Sequence, residues 1–264
     1  MLLTLQKGIV YGPVRSRRLG RSLGINPLPH GKKTCTLNCL YCQYGWTDPS
    51  CLSWMKDGDA ARSFPSAERI LEEVGRALEA ACEPPAYITF SGNGEPTLHP
   101  RFPELVEGVL RLRDRYAKAS RTAVLSNSTT VLNPVVREAL RRLDVRIMKL
   151  DCGTPERFRR FNQPVAGAGE DNNDVAFLRM VEELRAIGRG VTIQVLFAGG
   201  PEGNFRNGEI EEWVERIAAI SPASVQIYTL DRESPSKQIT RLENAELVRV
   251  KRLLDAKAIS AAVF

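Results

Sequence analysis

Residues 87–96 read Tyr87-Ile-Thr-Phe-Ser-Gly-Asn-Gly-Glu-Pro96. The run 87–91 is short and mostly apolar, and it leads directly into a glycine-rich turn that carries a carboxylate. A short apolar run bounded by turn residues suits a parallel strand buried on both faces. Five other runs have the same character: 23–27, 122–126, 146–151, 191–197 and 225–230. Amphipathic segments lie between them. Ser66 can cap a helix that gathers Ile70, Leu71, Val74, Ala77, Leu78 and Ala81 on one face and stops at Pro84 and Pro85. Pro103 opens a second helix, Asn133 with Pro134 a third, and Asp174 a fourth that ends at Gly188. Ile210, Trp213, Val214, Ile217 and Ile220 mark a fifth. Thr240 and Glu243 suit a capping box for the last one. Residues 167–173 read as a loop.

This alternation predicts an α/β fold: a parallel sheet with right-handed crossovers and helices outside it. About six βα units fall short of a closed eight-stranded barrel, which leaves a partial TIM-like barrel or an open sheet. Composition excludes other classes. With 43% hydrophobic residues in 264, the chain can bury a core and is not a disordered polymer. No apolar run reaches the ~18 residues a membrane span needs. The first 18 residues lack an apolar core followed by a cleavage site, so a cytoplasmic location without a signal peptide or membrane association is expected. The net charge of +6 permits a nucleic-acid or phosphorylated partner without demanding one.

The six cysteines are Cys35, Cys39, Cys42, Cys51, Cys82 and Cys152. Without a secretory signal, a disulfide framework is not expected. Three of them form Cys35-Thr-Leu-Asn-Cys39-Leu-Tyr-Cys42, a spacing that can wrap one inorganic centre. Zinc would take a fourth ligand such as His30. An iron–sulfur cubane usually takes four cysteines, and Cys51 is a candidate for the fourth. If no fourth thiol reaches the cluster, one iron stays open to bind a small molecule.

Other notable side chains fall at or just after the carboxyl ends of the expected strands. They are Gly94, Glu95 and Pro96, then Ser126 and Asn127, Asp151, and Tyr228 with Asp231. In a parallel α/β sheet those ends share the face where ligands bind. Gln194 is polar within an otherwise β-branched strand.

With aromatic Tyr41 directly before Cys42, the cysteine segment resembles the radical S-adenosylmethionine (SAM) superfamily. Asn93-Gly94-Glu95-Pro96 resembles that family's GGEP-type segment, with Asn93 in place of the first glycine. The resemblance implies a partial (βα)6 barrel over a single domain, residues 1–264. Its core covers about 8–232, and a C-terminal helix and short strand cover 240–264. It also implies a [4Fe-4S] cluster on Cys35, Cys39 and Cys42, with SAM chelated at the open iron. An electron from an external flavodoxin- or ferredoxin-like donor then releases a 5′-deoxyadenosyl radical that abstracts hydrogen from substrate. Cofactor contacts are expected from Tyr41, Gly94, Glu95, Pro96, Ser126, Asn127, Asp151, Gln194 and Tyr228. Asp151 and the thiols of Cys51 and Cys152 are candidates for a direct catalytic role.

Arg15, Arg17, Arg18 and Arg21 crowd a segment expected just before the first strand, beside the mouth. Guanidinium groups there suit phosphate or carboxylate recognition, so all four are candidate substrate ligands. This stretch, together with the cysteine loop and the GEPTL and KLD segments, resembles a branch of iron–sulfur oxidoreductases related to the tRNA wyosine synthases. The wyosine enzymes proper carry additional N-terminal cysteines for a second cluster, and none precedes Cys35. A (t)RNA nucleoside is the substrate first implied, with a peptide or protein as the alternative. A non-catalytic zinc or iron–sulfur binding protein is the reading from a different class.

Overall fold

The computed structural model describes residues 3–53, 64–166, 174–232 and 234–264. The expected loop at 167–173 lies outside the described residues. Among the described residues, eight strands form one sheet in sequence order: β1 (Val10–Ser16), β2 (Gly20–Ile25), β3 (Tyr87–Phe90), β4 (Arg121–Ser126), β5 (Val145–Lys149), β6 (Val191–Leu196), β7 (Ser224–Tyr228) and β8 (Ala261–Val263). Strands β2 to β8 pair in parallel, and β1 pairs antiparallel with β2. Helices cross over between the parallel strands: α1 (Ala67–Glu79), α2 (Phe102–Tyr116), α3 (Pro134–Arg141), α4 (Pro155–Phe161), α5 (Asp174–Ile187), α6 (Glu209–Ile220) and α7 (Asn244–Asp255). The expected α/β architecture with a parallel sheet is therefore observed.

Local chemistry sets the helix boundaries. Ser66 Oγ accepts the Arg69 amide at 3.2 Å, and Asn133 Oδ1 accepts the Val135 amide at 2.9 Å, so the orphan donors of those first turns are satisfied. The last helix departs from expectation. Its capping box is Glu243 with Glu246, whose carboxylate accepts the Glu243 amide at 2.8 Å. Thr240 instead forms a bridge with Gly199. The short helix α4 was not expected; Thr154 caps it, its hydroxyl accepting from the Arg157 amide at 3.2 Å.

The strand pleat divides the core in two. Ile88, Phe90, Val124, Met148, Ile193 and Ile227 face outward and join the main cluster with helix residues such as Ile70, Leu105, Leu184 and Trp213. The alternate residues Thr89, Ala123, Ile147, Gln194 and Gln226 face the barrel interior. That interior carries polar groups above a small apolar floor of Leu19, Ala123 and Ile147.

The main correction concerns the chain's start. Residues 10–25 form a β-hairpin rather than a basic segment leading into one strand. Arg15 sits opposite Arg21 across it. Arg21 forms an ion pair with Glu83, in the loop entering β3, at the amino end of that strand. The hairpin tip spans the open side of the partial barrel: Arg17 pairs with Asp231, and the Arg18 guanidinium lies 4.1 Å from the Tyr228 ring centroid. The four arginines are thus not gathered at the mouth.

Candidate active site

The carboxyl ends of β3 to β6 and the cysteine loop enclose a cavity of about 320 Å³. Cys35, Cys39, Cys42, Tyr41, Gly94, Glu95, Ser126, Asn127 and Gln194 all line it. The sequence placed these residues at separate strand ends, and the parallel sheet brings them to one face.

The cysteine loop is held on two sides. On one it forms a parallel bridge with the β3 turn: the Thr34 amide donates to Asn93 O at 2.9 Å and the Glu95 amide to Thr34 O at 3.0 Å. That approach requires glycine at position 94. Its φ is +144°, and a Cβ there would sit 1.9 Å from Thr34 O. On the other side, the amides of Asn38 and Leu40 donate to Gln163 O and Phe161 O at 2.9 and 3.0 Å. Lys33 ties the loop internally, its ammonium donating to Leu37 O at 3.0 Å and Gly45 O at 2.9 Å.

The thiols have directed partners. Asn127 Nδ2 lies 3.3 Å from Cys35 Sγ, and Asn162 Nδ2 lies 3.3 Å from Cys39 Sγ. Burial pushes the Cys35 thiol up to about 12 and the Cys39 thiol up to about 11. Thiolates in this loop therefore need a cation to form, as iron supplies on binding. Among the described residues, no three His, Cys, Asp or Glu side chains converge as a single metal ion requires. Three thiols bordering one cavity, with N–H donors aimed at two sulfurs, fit a larger cluster better than a mononuclear zinc.

The raised thiol values carry a pH consequence. Folding of the cluster-free protein retains protons that the unfolded chain releases near 9. Their contribution to stability is full below that pH and is lost as pH rises toward 11–12. The urea midpoint of the cluster-free protein should fall over that window more steeply than that of a Cys35→Ala/Cys39→Ala variant. Equal slopes would refute it.

Glu95 is 1% exposed and its carboxylate is fully engaged. Oε2 accepts the Asn127 amide at 2.5 Å, and Oε1 accepts from Thr97 N at 3.2 Å and Thr97 Oγ1 at 2.5 Å. Burial raises its pKa against these bonds. Pro96 opens the short turn beyond it and does not line the cavity. Ser126 Oγ accepts the Ser128 amide at 3.1 Å.

Several expected residues lie elsewhere. Asp151 stands behind the cysteine loop, not in the cavity. The Tyr41 hydroxyl donates to its Oδ2, which also accepts from Asn162 Nδ2 at 2.8 Å, and Oδ1 accepts the Leu196 amide at 2.8 Å. Its role in the geometry is to orient Tyr41. Cys152 is fully buried beside Leu40, Phe161 and Leu196, its thiol 3.4 Å from Asn162 Oδ1. Burial pushes that thiol well up. Cys51 is buried in a single turn at Pro49–Leu52, and it does not border the cavity either. Tyr228 does not line the cavity and touches it through two lining side chains, its hydroxyl accepting from the Lys149 ammonium at 2.6 Å and donating to Gln194 Oε1 at 3.5 Å. Arg15, Arg17, Arg18 and Arg21 contribute nothing to the lining.

Sequence reasoning missed Tyr11, Lys33, Tyr44 and Lys149 as cavity residues, and Asn162 as a sulfur partner. Only Lys149 left a signal, a charge inside an apolar strand. Tyr11 enters over Gly24, where a Cβ would meet its ring at 2.2 Å.

The family model for the radical SAM superfamily matches residues 32–204, from the cysteine loop past β6. The chain belongs to the radical SAM superfamily. That superfamily works with a [4Fe-4S] cluster and SAM, and its members are enzymes. A UPF0026 protein of Synechocystis sp. is 33% identical over 86% of this chain and 77% of its own length. A protein of Brachyspira hyodysenteriae named GTPase Obg is 29% identical over 94% of this chain, which spans only 33% of that relative. The crystal structure of a radical SAM methyltransferase from Sphaerobacter thermophilus superposes with a TM-score of 0.60 at 18% identity, over 92% of this chain and 65% of that one. This likeness concerns the fold, and it makes the sheet a radical SAM partial barrel. Among the described residues, no helix is long and apolar enough to cross a membrane.

Proposed function

We propose that residues 1–264 form one catalytic domain of a cytoplasmic radical SAM enzyme. Cys35, Cys39 and Cys42 hold the cluster, and Gly94, Glu95, Ser126, Asn127 and Gln194 surround SAM. The observation that carries this reading is the meeting of all three cysteines with the β3 and β4 turns around one cavity. When bound, cluster and SAM supply the 5′-deoxyadenosyl radical that takes a hydrogen atom from substrate. The protein's part is orientation and exclusion of water. Asn127 and Asn162 donate toward sulfur, which favours thiolate over thiol. Gly94 lets the backbone approach the ligand closely. Tyr41, fixed by Asp151, forms the wall between Cys39 and Cys42. The electron comes from an external flavodoxin- or ferredoxin-like protein.

An RNA nucleoside remains the substrate proposed first, now supported by the +6 charge alone because the arginines do not border the cavity. A peptide side chain is the second reading, and it fits the same open face. Anaerobic turnover with separate RNA and peptide fractions of cell extract, followed by mass analysis, distinguishes them. A mass change confined to RNA, with binding that weakens steeply with salt, is the expected result. A change confined to peptides would replace the RNA reading. Unchanged fractions alongside 5′-deoxyadenosine formation would remove both.

A further inference from the structure

Trp46 is the most exposed large apolar side chain among the described residues, at 63%. Its backbone is pinned on both sides. Before it, the Gly45 amide donates to Cys42 O at 3.1 Å, and Gly45 O accepts the buried Lys33 ammonium at 2.9 Å. After it, the Thr47 amide donates to Asn38 Oδ1 at 2.6 Å. The first of these bonds closes a tight turn that begins at Cys42 itself, and Trp46 is the next residue. A bulky indole is thus held out in water on the loop that carries Cys35, Cys39 and Cys42, and it takes no part in lining the cavity.

The ground around it is apolar with a basic edge. Leu3, 39% exposed, is fastened to the same loop, its amide donating to Gln43 O at 2.8 Å. The chain then runs to the β3 turn, where the Gln6 amide donates to Asn93 Oδ1 at 2.7 Å, and exposed Lys7 follows. Exposed Lys32 precedes Lys33 at the start of the cysteine loop. Asp48 is the single acid between residues 3 and 53. Its Oδ1 accepts the Ser50 amide at 2.9 Å, and Lys32 acts on it. In the sequence that follows, Lys56 and Arg62 balance Asp57 and Asp59. Glu95 is buried and faces the cavity, away from this surface.

The electron that the chemistry needs has to enter through surface close to the three cysteines, because tunnelling falls steeply with distance. Trp46 is four residues from Cys42 along the chain and nearer through the hydrogen-bonded turn. Redox encounters use small faces, and an exposed tryptophan that lodges in a partner carries much of the binding energy of such a face. An apolar centre with lysines at its edge complements a carrier that shows the apolar rim of its flavin inside a ring of carboxylates.

We infer that Trp46 and Leu3, flanked by Lys7 and Lys32, form the docking face for an acidic, flavodoxin-like electron donor. The inference rests on reading Cys35, Cys39 and Cys42 as cluster ligands. In the docked pair the donor's reduced flavin gives up one electron and keeps its protons, and the cluster gains that electron. No bond forms or breaks at the face itself.

Oxidised flavodoxin, titrated calorimetrically into the reconstituted full chain, tests the face directly. SAM cleavage is driven in parallel by reduced flavodoxin and by dithionite. Wild type should bind saturably, with an affinity that falls as salt rises. Trp46→Ala should weaken binding and flavodoxin-driven cleavage about tenfold or more. Its iron content and dithionite-driven cleavage should stay at the wild-type level, since a small reductant needs no docking face. Trp46→Phe should recover most of the loss, and Lys32→Glu should weaken binding at low salt far more than at high salt. Absence of flavodoxin binding, equal binding by Trp46→Ala, or an equal loss with both reductants would overturn the inference. A ferredoxin that binds through Trp46 where flavodoxin does not would overturn it too. Wild type that binds flavodoxin through Trp46 yet leaves SAM intact under dithionite upholds the face and sinks the radical reading.

Discussion

Cys35→Ala, Cys39→Ala and Cys42→Ala should each bring 5′-deoxyadenosine formation at least about 100-fold below wild type. The size follows from position. Partners one step removed from a metal typically change affinity or activity by about 10- to 100-fold, and a direct ligand does more. The three thiols are not interchangeable, however. Cys35 and Cys39 are served by Asn127 and Asn162, and burial opposes their ionisation, whereas Cys42 has no such amide aimed at it among the described residues. Asn127→Ala should therefore lower cluster retention about tenfold with all cysteines present. Iron, sulfide and product measured together on each variant check the ranking. Substantial product from any of the three cysteine variants would contradict the ligand assignment. Loss of product in Cys51→Ala or Cys152→Ala at full iron content would restore a catalytic role to a thiol outside the cavity.

Gly94→Ala should uncouple the cysteine loop from the sheet. A methyl group at this position meets Thr34 O at 1.9 Å, and the backbone φ of +144° is one that alanine rarely adopts. Neither atom in the clash is the end of a flexible side chain, so the bridge between Thr34 and Gly94 must open. Backbone strain and overpacking of this kind together cost about 2–4 kcal/mol. For a chain of this length that corresponds to a drop in melting temperature of roughly 5–10 °C. Iron retention should fall with it, because Thr34 adjoins Cys35. Gly31→Ala is the control: its φ is also positive, at +78°, but no atom lies within 4 Å of a Cβ there. That variant should show only the backbone penalty and keep its iron. Equal effects at both positions would mean that the close approach at Gly94 has no special weight.

The parts of this site that the sequence revealed are those whose meaning is local. Three cysteines within eight residues, a Gly-Glu-Pro turn after an apolar strand, and Ser126-Asn127 after another are each readable without knowing what lies opposite. A parallel sheet then does the assembly, because it puts every carboxyl end on one side. The parts that were misread depend on long-range pairing. Val10–Ser16 contains Gly12 and Pro13, which argue against a central strand, yet an edge strand accepts them. Missing that strand hid the hairpin and misplaced all four arginines. Asp151 follows a strand end as a ligand would, but three donors converge on it from the cysteine loop, the residue just past α4 and β6, at sequence separations of 110, 11 and 45. Lys33 carries no local signal in the sequence, yet it is 5% exposed and bound to loop carbonyls. Cys152 sits one residue past Asp151, and the chain's turn there buries it.

The central claim is that this cavity binds and cleaves SAM. The most direct measurement is anaerobic reconstitution of the wild-type chain with iron and sulfide, followed by reductant and SAM, with 5′-deoxyadenosine read by mass. Product that depends on reductant, from protein holding about four irons and four sulfides per chain, is the predicted result. A fully loaded cluster that leaves SAM intact under strong reductant would contradict it.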